Sequence, residues 1–208
     1  MKKRKTGIFM AVMLAAGLFL NGCGSAEPFD ASGYVKSVLD ANYQGEYEEY
    51  ADFRDISVDD AKAEIEKSRQ EQVDAEFTDF DGITEEGKEA YANSLTELDK
   101  LMHYEVGEAK ENDDGSFTVP VTIEPTNVYQ TVEQHSSDVT TEMLEQGTDP
   151  STPEGFAQVL NESMKRAMDG IEYSDPETIE ITVAQDSDGA YGISDADMQK
   201  IAETMMPQ

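Results

Sequence analysis

The sequence predicts an α+β domain in which helices pack on a small antiparallel sheet built from two β-hairpins. Three observations carry this. Apolar residues recur at spacings of three and four over much of residues 34–102 and 128–171. In two passages, Phe117–Ile123 and Ile179–Ile193, the period changes to two. Each alternating passage adjoins an Asp-rich turn ending in glycine, Asn112–Gly115 and Asp186–Gly189. Strands that pair locally, with helices grouped between the hairpins, are the α+β pattern.

The elements follow in order. Ser32 is the expected cap of a first helix bearing Val35, Val38, Leu39 and Tyr43, and Gly45 interrupts it before a short piece with Tyr47, Tyr50 and Phe53. Ser57 and Asp60 resemble a capping box, with Asp in place of Glu, ahead of a helix carrying Ala61, Ile65, Val73, Phe77 and Phe80. Thr84 caps the next helix, whose stripe is Tyr91, Leu95, Leu98 and Met102. Tyr104 and Val106 open the first hairpin. Pro120 in its second strand has no N–H to donate, which predicts an edge position or a bulge there. A helix over roughly 127–146 turns Val128, Val132, Val139 and Met143 inward. The next begins at Ser151-Thr-Pro-Glu, with Pro153 in its first turn, and turns in Phe156, Leu160, Met164, Ala167 and Ile171. After the second hairpin, Ser194 caps a last helix with Met198, Ile201, Ala202 and Met205. Helix-then-hairpin thus occurs twice, without residue-level identity between the two passages.

The chain has 208 residues, enough for one domain with a real core. Its N-terminus reads differently from the rest. Lys2, Lys3, Arg4 and Lys5 precede an uncharged apolar run over residues 7–20, shorter than the roughly 20 residues of a membrane span and matched to the core of an export signal. Leu20-Asn21-Gly22-Cys23 follows. That tetrad resembles the lipobox of bacterial lipoprotein precursors: Leu, a variable residue, a small residue, then Cys. The resemblance implies cleavage before Cys23 and a diacylglyceryl thioether on its sulfur. Cys23 is the single cysteine, so it has no disulfide partner within the chain. The expected organisation is a signal peptide over 1–22, a lipidated Cys23 with a flexible tether to residue 33, and one acidic α+β domain over 34–208.

Charge is lopsided, with 15 basic against 45 acidic side chains and a net −30. The leader holds four of the basic residues and no acid, so its removal leaves 11 basic and 45 acidic groups, or −34. Such a field repels nucleic acid and anionic headgroups, which excludes nucleic acid as an expected partner.

An EF-hand-type calcium loop aligned on Gly189 places Asp186, Asp188 and Asp195 at ligand positions but Ala184 at the first; aligned on Gly115 it fits worse, with Lys110 and Val121 at ligand positions. Asp-Gly between alternating runs is the ordinary hairpin turn, so no metal site is expected. His103 lies where a helix passes into a strand and His135 on an apolar helix stripe, so both read as structural. With 45 acids, carboxylate pairs at any spacing carry no information. No catalytic residue and no cofactor is expected. Tyr34, Tyr43, Tyr47 and Tyr50 cluster around the first helix; Tyr43, Tyr47 and Tyr50 are the candidate ligand-lining aromatics, against the simpler reading as core.

The lipobox, the acidity, the Tyr34–Tyr47 passage and the Tyr104–Lys110 hairpin strand together resemble small acidic lipoproteins of clostridia-type bacteria. The closing Asp188-Gly-Ala-Tyr-Gly-Ile193 is similar to the last strand of nuclear-transport-factor-like lipoproteins, with Tyr191 as the aromatic after the turn, although the helix-rich start departs from that pattern. The resemblance implies a lipid-anchored protein on the outer face of the cell membrane and no known activity. A non-enzymatic binding or interaction domain, with a protein or small-molecule ligand, is the first expectation. A carboxylate-dependent cell-envelope hydrolase and an accessory subunit of an envelope complex are the alternatives.

Overall fold

A computed structural model describes residues 29–78, 82–187 and 189–207. The fold is α+β: helices α1 (Ala31–Leu39), α2 (Glu48–Arg54), α3 (Val58–Glu76) and α4 (Glu85–Asp99), then strands β1 (His103–Val106), β2 (Lys110–Glu111) and β3 (Phe117–Glu124). Helices α5 (Val128–Glu145) and α6 (Pro153–Asp169), strands β4 (Glu177–Gln185) and β5 (Tyr191–Ile193), and helix α7 (Asp195–Met205) complete it. The predicted helices and both hairpins are present, and the hairpins join through β3 and β4 into one antiparallel sheet of order β1-β3-β4-β5, with β2 also on β3.

The sheet buries the alternating face that the sequence marks. Val119, Val121, Ile123, Ile181 and Val183 are fully shielded. At roughly 25 cal/mol per Å² of apolar surface, such side chains each contribute about 1.5–3 kcal/mol. Helix α1 covers β1 and β3, and α7 packs on β3 and β4. Helix α5 packs against α6, and α6 against α4, joining the sheet through the segment after β3.

Several expectations are corrected. Asp30, not Ser32, caps α1, its carboxylate accepting from the Gly33 N–H at 2.8 Å. Ser32 is instead a bracket, its hydroxyl donating to the Gly107 carbonyl at 3.0 Å and accepting from the Ala109 N–H at 2.8 Å. The folded unit therefore starts upstream of residue 34: Ala31 is buried and the Phe29 ring stacks on Tyr191 at 3.9 Å. The rest of the expected tether, Cys23 and the leader lie outside the described residues, as does Phe80. Ser57, Thr84, Thr152 and Ser194 each accept an N–H from the first turn of their helix. Ser57 also donates to the Asp60 carboxylate at 2.7 Å.

Pro120 lies in a central strand, not at an edge. Its carbonyl accepts from the Gly107 N–H at 2.8 Å, so its nitrogen points the same way, into the interruption between β1 and β2 where no acceptor is required. The irregularity sits in the partner strands, and Gly107 is needed there: a Cβ on it would come within 2.8 Å of the proline ring. On α6, Phe156 and Leu160 are only half-buried, as is Ile171 just past the helix end; Ala157, Met164 and Ala167 face the main core, and Val159 joins Val139 and Met143 in a small cluster between α5 and α6.

Candidate functional site

The tyrosines around α1 fall mostly in the core. Tyr34, Tyr43 and Tyr50 are buried and Tyr47 is half-buried. Helical spacing beside Val and Leu already favoured this outcome.

What α1 builds is a cleft. At Leu39 it passes into a π-helical turn, Asp40–Gln44, whose carbonyl at Asp40 accepts from the Gly45 N–H five residues on. Gly45 ends the turn at φ +70°, a left-handed conformation suited to glycine. Single π turns are rare and concentrate at functional sites, because the extra residue re-aims the side chains around it. Here it turns Asp40 and Gln44 toward β1. Tyr104 donates its hydroxyl to Asp40 Oδ1 at 2.7 Å, Lys36 donates to Asp40 Oδ2, and Gln44 donates to the Met102 carbonyl at 3.1 Å. Burial, then the bond to Asp40, holds the Tyr104 hydroxyl well above its ordinary pKa. The bond to Asp40 likewise raises Lys36. The resulting cleft has a volume near 520 Å³ and is lined by Lys36, Asp40, Gln44, Glu46 and residues 102–106. Beside it, His103 bonds Glu124 at 2.7 Å and stacks on Tyr173 at 4.2 Å.

The inner face of the π turn meets a buried polar cluster. Arg69 of α3 donates to the Asn42 carbonyl at 3.3 Å and forms an ion pair with Asp99 of α4. Asp99 Oδ2 accepts no well-aligned hydrogen bond, so the guanidinium charge is its compensation. Burial outweighs that charge and pushes the Asp99 carboxyl up to about 6. Further along α3, burial raises Glu76 to about 7, against a hydrogen bond from the Tyr91 hydroxyl at 3.4 Å that acts in the other direction. Neither carboxyl lines the cleft. The hydrolase alternative requires two acids converging in a cleft, and these two do not meet that requirement.

Tyr43, packed against this cluster, has a fully buried hydroxyl with no hydrogen-bond partner among the described residues. Leaving a hydroxyl unpaired costs about 1–3 kcal/mol. Tyr43→Phe is therefore expected to be neutral or to stabilise by about 1 kcal/mol, read from urea denaturation. A loss above about 2 kcal/mol would show that the hydroxyl is bonded in solution.

Glu76 makes a pH-dependent contribution. A carboxyl whose folded-state pKa lies above its unfolded value binds its proton more tightly when folded, so it favours folding below the unfolded value near 4.5 and loses that contribution as pH rises through about 7. Glu76→Gln should match the parent at pH 5 and exceed it at pH 8, by on the order of 1 kcal/mol after solvent screening of this half-exposed group. Equal stabilities at both pH values would place Glu76 in water.

A second groove runs between α4 and α6, near 660 Å³, with Gly87, Ala90 and Ala157 on its floor and Glu86, Glu97 and Glu154 on its walls. Ser94 donates to Asn161 at 3.0 Å across it. Among the described residues no three His, Cys, Asp or Glu side chains converge as a metal-ligand set. Asp186 accepts the Ala190 N–H at 2.9 Å, as a turn residue does; Asp188 lies outside the described residues. His135 is half-buried on α5. Val58, Leu144 and Tyr173, the large apolar side chains exposed among the described residues, lie on different segments.

Comparison with known proteins gives one useful likeness. No protein-family profile matches the sequence. No curated protein matches it either. The fold is similar to that of a Bacillus subtilis protein, ycdA, provisionally assigned as a lipoprotein, with a TM-score of 0.58 and 14% identity. The match covers 86% of this chain and 56% of that one, so this chain spans little more than half of its structural neighbour. At that identity the likeness concerns the fold. Among the described residues no helix is long and apolar enough to cross a membrane.

Proposed function

We propose that this chain is a lipid-anchored extracytoplasmic binding domain, held on the outer face of the cell membrane through Cys23. Its ligand, a protein segment or small molecule, would sit in the cleft between the π turn and β1. The anchoring half of this reading is supported by the basic leader, the apolar run, the Leu20–Cys23 tetrad and the lone cysteine. The provisional assignment of the structural neighbour points the same way.

The binding half is carried by one observation, the Lys36–Asp40–Tyr104 network that the π turn aims into the cleft. Polar groups fixed beforehand reduce the ordering cost of association, which is why such sites concentrate convergent polar side chains. A photo-crosslinking residue at Glu105, on the cleft rim, should trap a ligand in membranes several-fold more than one at Leu144 on α5. The adduct should fall away when Tyr104→Phe or Asp40→Asn disrupts the network. Equal trapping at both positions, or trapping indifferent to those changes, would show that the ligand does not sit in the cleft.

A further inference from the structure

We infer that the domain stands on the membrane by the Phe117 end of its sheet and presents the π-turn cleft on the half facing away from the bilayer. This rests on the anchoring reading above and adds an orientation to it.

The first consideration is reach. Residues 24–28 are all that separate Cys23 from Phe29, and that stretch, fully extended, spans at most about 20 Å. A lipid on Cys23 therefore keeps Phe29 close to the headgroups whatever path the chain takes between them.

The second is where Phe29 is fixed. Its ring stacks on Tyr191 at 3.9 Å with planes 10° apart, lies 5.9 Å from Phe117 and 6.2 Å from Phe53, and packs on Tyr34 at 5.7 Å. Aromatic pairs at these separations each add about 0.5–1.5 kcal/mol beyond the area they bury. The Asp30 cap and the Ser32 bracket then tie the next residues to α1 and to the β1–β2 interruption. The position of Phe29 is thus set in the fold.

The third is the direction of the sheet. Phe117 pairs with Glu111 and Val183, and Tyr191 with Gln185, so the 112–116 and 186–190 turns lie at this end. The opposite end holds His103 paired with Glu124, Ile123 paired with Glu177, and the Pro125–Ser174 contact. At 3.3–3.4 Å per residue, β3 sets the two ends roughly 23 Å apart. Helix α1 and the π turn that follows it run between them, from Ser32 near mid-sheet to Gln44 at Met102, so the cleft lines the half near Glu124. Helices α4 and α6 also reach the sheet by their C-terminal ends on that side. The acids Asp113, Asp114 and Asp186 at the near end repel an anionic bilayer. Screening confines that repulsion to about 8–10 Å, less than the roughly 20 Å that residues 24–28 can span, so the repulsion does not oppose attachment at this end.

The test places donor fluorophores on cysteines introduced at Asp113 or Asp175, both exposed loop positions at opposite ends of the sheet. Full-length protein extracted from bacterial membranes would be reconstituted into phosphatidylglycerol-containing vesicles with acceptor-labelled headgroups. Donors at 113 should transfer energy several-fold more efficiently than donors at 175. Equal transfer, or stronger transfer from 175, overturns the orientation. The unmodified chain serves as the internal check: an acylated Cys23 does not react with maleimide. Labelling of the unmodified chain at Cys23 would overturn the anchoring reading itself, separately from the orientation.

Discussion

Cys23→Ser is expected to release the protein from membranes washed with alkaline carbonate, while the parent chain stays bound. The reason is additive burial. Each CH₂ of an acyl chain contributes about 0.8 kcal/mol in the bilayer, one chain gives only marginal binding, and the two chains of a diacylglyceryl group give stable anchoring. Serine offers no thiolate to alkylate, and the apolar run at 7–20 is too short to span the bilayer by itself. The net −30 of the chain adds repulsion from anionic headgroups once the anchor is gone. A variant that resists the wash would mean that something other than this thioether holds the protein.

Arg69→Met is expected to cost about 3–5 kcal/mol of folding stability at pH 8, because it leaves the buried Asp99 charge uncompensated. The carboxyl already titrates near 6, and loss of the guanidinium moves it further up, since that charge is what opposes the effect of burial. The sign follows: the folded variant binds the Asp99 proton more tightly than the unfolded chain does, so its deficit grows as pH rises and shrinks toward pH 5. Replacing both partners, Arg69→Met with Asp99→Leu, should restore most of the loss, because no buried charge then remains. A single variant as stable as the parent at pH 8 would show that water reaches Asp99.

Much of the fold was legible in the sequence because its signals are local. The Thr84 and Ser194 caps, the Tyr91–Leu95–Leu98 stripe and the Asp-Gly turns of both hairpins depend on residues a few positions apart. Pro120 was harder. Its missing N–H was evident, but the direction in which the gap points depends on Gly107 in another strand. Ser32 failed as a cap for a related reason. Asp30, two residues earlier, competes for the same role, and only the docking of α1 on the sheet gives the Ser32 hydroxyl the Gly107 and Ala109 backbone as partners.

The candidate site was less legible. Tyr43 and Tyr50 are the kind of aromatics that line many pockets, but their spacing beside Val38 and Leu39 places them in the core. The residues that build the cleft, Lys36, Asp40, Gln44 and Tyr104, carry no motif, since 64 positions separate Asp40 from Tyr104. The one usable signal was Gly45 at the break in the helical stripe, which marks the end of the π turn without revealing it. Arg69 and Asp99 were hidden among many charged residues, and only burial sets them apart.

Attachment to the membrane depends most on the state of a single sulfur atom, and an intact mass of the polypeptide extracted from native membranes reads it directly. The expected result is a chain that begins at Cys23 and carries a diacylglyceryl group. A chain that keeps residues 1–22, or one that begins at Cys23 with a free thiol, would contradict it.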